Sequence, residues 1–209
     1  MSQPSTVDHW IHQGVDYAKG ALAARVRALR RAAHFGGGGE AARAVCDTFL
    51  HHLEADFAIG ARGIIAGYWP LDDELDVRPL LIALQEQGRS CALPVTGDAM
   101  LTFRRWATGD ELVPGPFGTS EPGPGAKMVN PALVITPLLA VDRAGYRLGY
   151  GAGYYDRTLR RLRRAGSVAV VGVGFATQLV EHVPHNGDDE RLDWVITELG
   201  ALRVGAGVS

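Results

Sequence analysis

Val168–Phe175 reads VAVVGVGF, a run without a charged or polar side chain. A strand that is apolar on both faces has no side to give to water. It belongs in a sheet covered front and back by helices, which makes the sheet parallel or mixed. The flanks agree. Tyr154–Arg164 reads as a helix with Leu159 and Leu162 inward, and Trp194–Thr197 as a last short strand. Further out, Leu133–Thr136 reads as a strand and Asp142–Gly145 as a turn. Gly63–Trp69 (GIIAGYW) is a buried strand ended by Pro70, and Ser90–Val95 is another. Between them, Asp76 is placed to cap a helix that carries Leu80, Leu81 and Leu84 and closes near Gly88. Leu101 and Phe103 alternate with polar neighbours, the pattern of a half-exposed strand. Strands alternating with helices predict an α/β fold: a single-domain three-layer sandwich whose mixed, mostly parallel sheet is flanked by helices.

The N-terminal part reads as helical. Val15, Leu22, Val26, Leu29 and Ala33 recur at helical spacing, with Arg25, Arg27, Arg30 and Arg31 on the other faces. Gly36–Gly39 breaks that helix, and a second runs from about Glu40 to Leu53 with Val45, Phe49 and Leu53 on one face. Residues 1–14 are polar and aperiodic and read as a flexible arm. Residues 107–131, rich in glycine and proline, read as a long surface loop with room for a short strand. The domain is expected over residues 15–200, with 201–209 as a tail.

The chain has 209 residues, of which 46% are apolar and 21% charged, so it is long and apolar enough to fold around a core. A formal net charge of −2 gives no electrostatic argument for nucleic acid or an anionic membrane. Cys46 and Cys91 are too few for a disulfide framework or a four-cysteine zinc site, and thiols this scarce fit a reducing compartment. No run approaches the roughly 20 apolar residues of a membrane span, and the N-terminus lacks the basic flank and apolar core of a secretory signal. The expectation is a cytoplasmic monomer that binds small molecules, without nucleic acid or membrane partners.

Chemistry concentrates in Gly145–Asp156, GYRLGYGAGYYD. Gly149, Gly151 and Gly153 alternate after a turn and before a helix, where backbone N–H groups can converge on an anion beside a helix N-terminus. Arg147 can add paired bonds to phosphate oxygens, and Asp156 can hold a hard cation such as magnesium. The same residues also read as a tight glycine turn with Asp156 in the first turn of the helix. In Trp69–Asp76, WPLDDELD, four carboxylates fall within five residues. This is either a solvated helix N-terminus or a loop that turns one carboxylate toward a heterocyclic ligand. Pro184–Asp193, PHNGDDERLD, offers Asp189 and Asp193 as companions to Asp156, or is simply a polar loop. His182 and His185 lack a regular metal-ligand spacing.

Three segments together, Arg147–Arg157 (RLGYGAGYYDR), Gly67–Leu81 (GYWPLDDELDVRPLL) and Leu192–Glu198 (LDWVITE), resemble the 5-formyltetrahydrofolate cyclo-ligase family. The resemblance runs in order from about Lys19 to Glu198. It implies an α/β enzyme that uses ATP as co-substrate and Mg2+ to convert 5-formyltetrahydrofolate to 5,10-methenyltetrahydrofolate, ADP and phosphate. Residue by residue it implies ATP contacts at Lys19, Arg147, Leu148, Gly149, Tyr150, Gly151, Ala152, Gly153, Tyr154 and Tyr155. It places the folate at Trp69, Glu74, Tyr154 and Tyr155, and the metal at Asp156 with Asp193 or Asp189. Arg147 and Tyr154 are the implied catalytic residues. Two positions depart from the family pattern. Ala23 stands where K-x-x-L-R has its arginine, with Arg25 or Arg27 as the substitutes considered, and Val141 stands where an aromatic is usual.

Overall fold

The computed structural model describes the backbone of residues 6–57 and 59–205 and the side chains of residues 14–57 and 59–205. In chain order the regular elements are α1 (Thr6–Ala55), β1 (Ile65–Ala66), α2 (Arg78–Glu86), β2 (Cys91–Thr96), β3 (Leu101–Trp106), β4 (Leu112–Pro114), β5 (Ser120–Pro122) and β6 (Met128–Val129). They continue with β7 (Leu133–Pro137), β8 (Ala140–Asp142), β9 (Arg147–Leu148), α3 (Tyr154–Ala165), β10 (Ala169–Val173), β11 (Leu179–Val180), β12 (Trp194–Thr197) and β13 (Gly200–Arg203).

The main sheet has eight strands in the order β13-β12-β10-β7-β1-β2-β3-β6. From β12 to β2 every pairing is parallel, and β13, β3 and β6 join antiparallel at the two sides. The apolar run chosen from the sequence is β10, held between β7 and β12 with Val170, Val171 and Val173 buried. One face is covered by α2 and the C-terminal half of α1, through Val45, Phe49, Leu53, Leu80, Leu81 and Leu84. The other is covered by α3 through Leu159 and Leu162. These are the three expected layers, and the mixed, mostly parallel sheet is as the sequence predicts. A small sheet, β11-β8-β9, stands apart from the main one. Apolar residues around Leu139, Ala140 and Leu148 pack it against Val26 of α1.

Several local expectations change. The segment read as an arm is helical from Thr6, with residues 1–5 outside the described ones. The glycine run interrupts α1 only as a kink, with Gly37 alone at non-helical angles. Packing of both halves against the protein overrides the poor propensity of glycine there. Leu29 is 44% exposed, while Arg30, read as a surface residue, is 3% exposed. Asp76 does not cap α2. Val77 holds that position without a side-chain bond, and Asp76 accepts the Arg78 N–H at 3.0 Å, with a proline in the first turn. Of the GIIAGYW run β1 keeps Ile65 and Ala66, with the Gly67 N–H donating to the Ala92 carbonyl of β2 at 3.0 Å just beyond it. The 107–131 loop contains β4, β5 and β6, and the expected tail begins with β13 paired along β12. Residues 206–209 lie outside the described ones.

Candidate active site

β1 and β7 are neighbours in the sheet, yet the chain leaves them in opposite directions. From β1 it crosses through α2 to β2, and from β7 through α3 to β10 on the other side. The two crossing helices lie on opposite faces, so a crevice is left at the carboxyl ends of these two strands, the usual ligand position in open α/β sheets. The Trp69–Asp76 segment follows β1 into this crevice. The glycine loop follows β7 after the short β8–β9 hairpin. Two motifs far apart in sequence thus meet at one edge.

Gly149 and Gly151 have open space where a side chain would project, and Gly151 and Gly153 take φ values of +89° and +67°. Gly153 is the N-cap of α3 and has no side-chain cap, so the first N–H groups of that helix face the loop without a side-chain acceptor. Arg157 secures the loop end: it donates to the Ala152 carbonyl at 2.8 Å and to the Ala99 carbonyl, and its guanidinium lies 5.4 Å from the Tyr154 ring centre. Arg147 is turned into the protein rather than toward the loop's open side. It donates to the Glu190 carbonyl at 3.0 Å, pairs with Asp156 at 3.1 Å and lies over the Tyr155 ring. The arginine read as a phosphate ligand therefore braces the loop from beneath.

The acidic segment divides its carboxylates. Asp72 adopts φ +48° in a turn closed by the Glu74 N–H to the Leu71 carbonyl at 2.9 Å. That turn points Glu74 inward, where it is 3% exposed and accepts the Leu71 N–H at 2.9 Å. Burial raises the Glu74 carboxyl above its ordinary value, against the pull of the Leu71 N–H, Arg30 and Tyr150. Asp73 pairs with Arg30 at 2.5 Å, and Asp76 with Arg78 at 2.8 Å. Burial alone would raise Asp76, but bonds from Arg78 outweigh it and the net shift is downward. Arg30 also donates to the Tyr150 phenol at 3.3 Å, which links the acidic turn to the glycine loop. Trp69 packs edge-on to Trp106 with ring centres 5.7 Å apart, and Arg78 covers it at 5.4 Å.

The acidic pair proposed for a metal is not assembled. Asp193 accepts the Val170 N–H at 2.8 Å and pairs with Arg163 at 3.2 Å. Arg163 is seven residues along α3 from Asp156, about 10 Å. Asp193 precedes β12, at the amino ends of the parallel strands and away from the crevice. Asp156 instead accepts the Glu190 N–H at 3.0 Å, which brings it next to the Asp189 segment of the chain. Asp189 is held by Lys19, with both carboxylate oxygens 2.8 Å from the ammonium. Among the described residues no three acidic, histidine or cysteine side chains gather around one point. A magnesium ion does not require three, because it is commonly held by one or two carboxylates and the substrate's phosphates. Asp156 and Asp189 fit that donor set, and Asp193 does not.

The 5-formyltetrahydrofolate cyclo-ligase family matches residues 17–198, nearly the whole of this architecture. The chain belongs to this family. It is 35% identical over 140 residues to the 5-formyltetrahydrofolate cyclo-ligase of Escherichia coli strain K12, covering 64% of this chain and 76% of the relative. The Mycolicibacterium smegmatis enzyme of the same name is 35% identical over 143 residues, covering 64% and 72%. In structure the chain is similar to the 5,10-methenyltetrahydrofolate synthetase of Aquifex aeolicus, with TM-score 0.72 and 27% identity over 91% of this chain and 95% of the other. These names are those of ligases, and the chain is an enzyme of that class.

In this cyclo-ligase family member, sequence reasoning missed two residues at the crevice. Arg30 reads from the sequence as one of the arginines on the outer faces of the helix. Its signal was available, since it lies four residues after the buried Val26 and so shares its helix face. Phe117 lies in the 107–131 segment, which the sequence reads as a surface loop. It is 77% exposed, holds φ +60° between Pro116 and Gly118, and sets its ring edge-on to Tyr154 at 6.2 Å. An exposed aromatic held at a strained angle is a local cost kept where the ring has a use.

Proposed function

We propose that this protein converts 5-formyltetrahydrofolate and ATP to 5,10-methenyltetrahydrofolate, ADP and phosphate. The observation that carries the reading is the meeting of the uncapped glycine loop and the inward carboxylate of Glu74 in one crevice. Gly149–Gly153 and the first N–H groups of α3 hold the triphosphate, with Tyr150, Leu148 and Ala152 shaping the loop and Lys19 reaching the phosphates from α1. Arg147 keeps the loop in its binding shape. Glu74 accepts hydrogen bonds from the pterin, and Trp69, Tyr154, Tyr155 and Phe117 wall the ring.

The chemistry needs activation because a formamide oxygen is a poor leaving group. Transfer of the γ-phosphoryl to that oxygen releases ADP and leaves an iminium phosphate. Nitrogen 10 of the folate then attacks the formyl carbon, loses its proton and closes the ring as phosphate departs. The protein's part is to hold γ-phosphorus and formyl oxygen in line and to offset developing charge. Tyr154, between the loop and Phe117, sits where the two substrates meet. Asp156 and Asp189 would hold Mg2+, which when bound neutralises phosphate charge.

The test follows methenyl-folate absorbance with 5-formyltetrahydrofolate, ATP and magnesium supplied together and each omitted in turn. Product is expected only with all three. Equal product without ATP would refute the assignment.

A further inference from the structure

Among the described residues, Arg30 is a charged side chain beside Glu74 whose bonding is incomplete. Its residue surface is 3% exposed, and its Nη2 is taken by Asp73 at 2.5 Å and by the Tyr150 phenol at 3.3 Å. Nε and Nη1 are buried and meet no acceptor among the described residues. Buried N–H groups on a cation are costly when unfilled, so such a pair points to an acceptor that a ligand brings.

The surroundings say what kind. Asp73 already balances the guanidinium, and Glu74 adds a second carboxylate nearby, so a further anion would meet repulsion. The acceptor is therefore a neutral oxygen. Glu74 accepts the Leu71 N–H and lies against the Tyr150 phenol, and a carboxylate has lone pairs for further donors once that phenol moves aside. The ligand edge that suits the pair presents N–H groups to Glu74 and a carbonyl oxygen beside them to Arg30. A 2-amino-4-oxo pterin has this edge in its 2-amino group, ring N3–H and 4-oxo oxygen. Resting on the folate reading above, we propose that Arg30 recognises the 4-oxo oxygen of the pterin and sets the preference for a 4-oxo over a 4-amino ring.

Access to Arg30 is through Tyr150. The phenol ring lies over the guanidinium at 5.8 Å and is 53% exposed. Its neighbours Gly149 and Gly151 have nothing within 4 Å of a would-be side chain, so the loop has room to carry the ring aside. The phenol accepts from Nη2 at 3.3 Å and covers the guanidinium, so carrying it aside uncovers the unfilled Nε and Nη1 side of Arg30 to the substrate's oxygen.

The experiment measures dissociation constants for 5-formyltetrahydrofolate and for its 2,4-diamino analogue, in the wild type, Arg30→Lys and Arg30→Met. The wild type is expected to favour the 4-oxo ligand roughly 10-fold or more, the usual weight of a charge-assisted bond. Both variants should narrow the ratio to within about threefold, by loss of the 4-oxo ligand, with ATP affinity within about threefold of wild type. A purely structural arginine would weaken both ligands together and leave the ratio intact. Equal wild-type affinities, or a ratio unchanged in Arg30→Lys, overturn the assignment while leaving the cyclo-ligase reading standing. A wild type that binds neither folate overturns both. If Arg30→Met does not fold, Arg30→Lys and the wild-type ratio decide.

Discussion

On the Glu74 carboxyl, burial and hydrogen bonding pull in opposite directions. Burial is the larger effect and raises its pKa above the ordinary 4.5, while Leu71 N–H, Arg30 and Tyr150 draw it back. A carboxyl with a raised pKa binds its proton more tightly folded than unfolded, so it costs stability as pH climbs from its ordinary value through the folded one. Glu74→Gln removes that cost. Its melting temperature relative to wild type should therefore rise as pH climbs above the ordinary carboxylate value, and parallel melts would check this. The same substitution should weaken 5-formyltetrahydrofolate roughly 10- to 100-fold and ATP by less than about threefold. Loss of ATP binding alone would assign the acidic turn to the other ligand. At Arg147 the buried pairing changes what its removal means. Arg147→Ala strips the brace from under the glycine loop and leaves Asp156 without its cation. We expect about 1–3 kcal/mol of lost stability along with at least a tenfold higher KM for ATP. Denaturant unfolding and initial rates report the two effects separately, and unchanged stability would return Arg147 to the open side of the loop.

Among the elements, α3 and α1 set the nucleotide side of the crevice. Gly153 ends the loop at φ +67°, and a methyl there would come within 2.5 Å of Arg157 Nη1. Gly153→Ala should therefore cost about 1–2 kcal/mol in backbone strain and disturb the Arg157 clamp. The readout is a KM for ATP raised by about tenfold with folate affinity little changed. On α1, Ala23 lies four residues after Lys19 and packs beside the Leu139–Leu148 cluster. Arg25 and Arg27, the arginines nearest Ala23 in the sequence, are exposed, whereas Arg30 shares the buried face of Val26. Ala23→Arg would carry a second cation toward the Lys19–Asp189 pair. A partly exposed charge is worth about 0.2–1 kcal/mol, so the KM for ATP should fall by up to several-fold. Steady-state kinetics check this, and a rise would mean that the apolar contact of Ala23 matters more than the charge.

For the molecule as a whole, the eight-stranded sheet extends past the point where sequence reading ended the domain. β13 bonds along the full length of β12, and the Val204 N–H reaches the Asp193 carbonyl at 2.9 Å. Val204 also lies over Gly145, the φ +86° residue of the turn before β9. A chain ending at Leu199 should expose the β12 edge and loosen that turn. Scanning calorimetry is expected to show a melting temperature roughly 5–10 °C lower. An unchanged value would make β13 an ornament of the sheet.

Composition, the apolar run at Val168–Phe175 and the 3.6-residue pattern of Tyr154–Arg164 were enough to determine the layer architecture, because they are local consequences of which faces meet water. The glycine loop and the acidic segment were legible as chemistry for the same reason: their backbone demands are written in glycine spacing and clustered carboxylates. Which carboxylate turns inward was decided by the Leu71–Glu74 turn. That Arg147 faces Asp156, that Asp193 serves the far end of α3, and that Arg30 enters the crevice were decided by tertiary structure. A charged side chain has no periodic signature of its own. Its direction follows from the partner that repays its desolvation: Asp193 for Arg163, Asp73 for Arg30 and the Glu190 carbonyl for Arg147 lie 30 or more residues away, and Asp156 sits on a different element from Arg147.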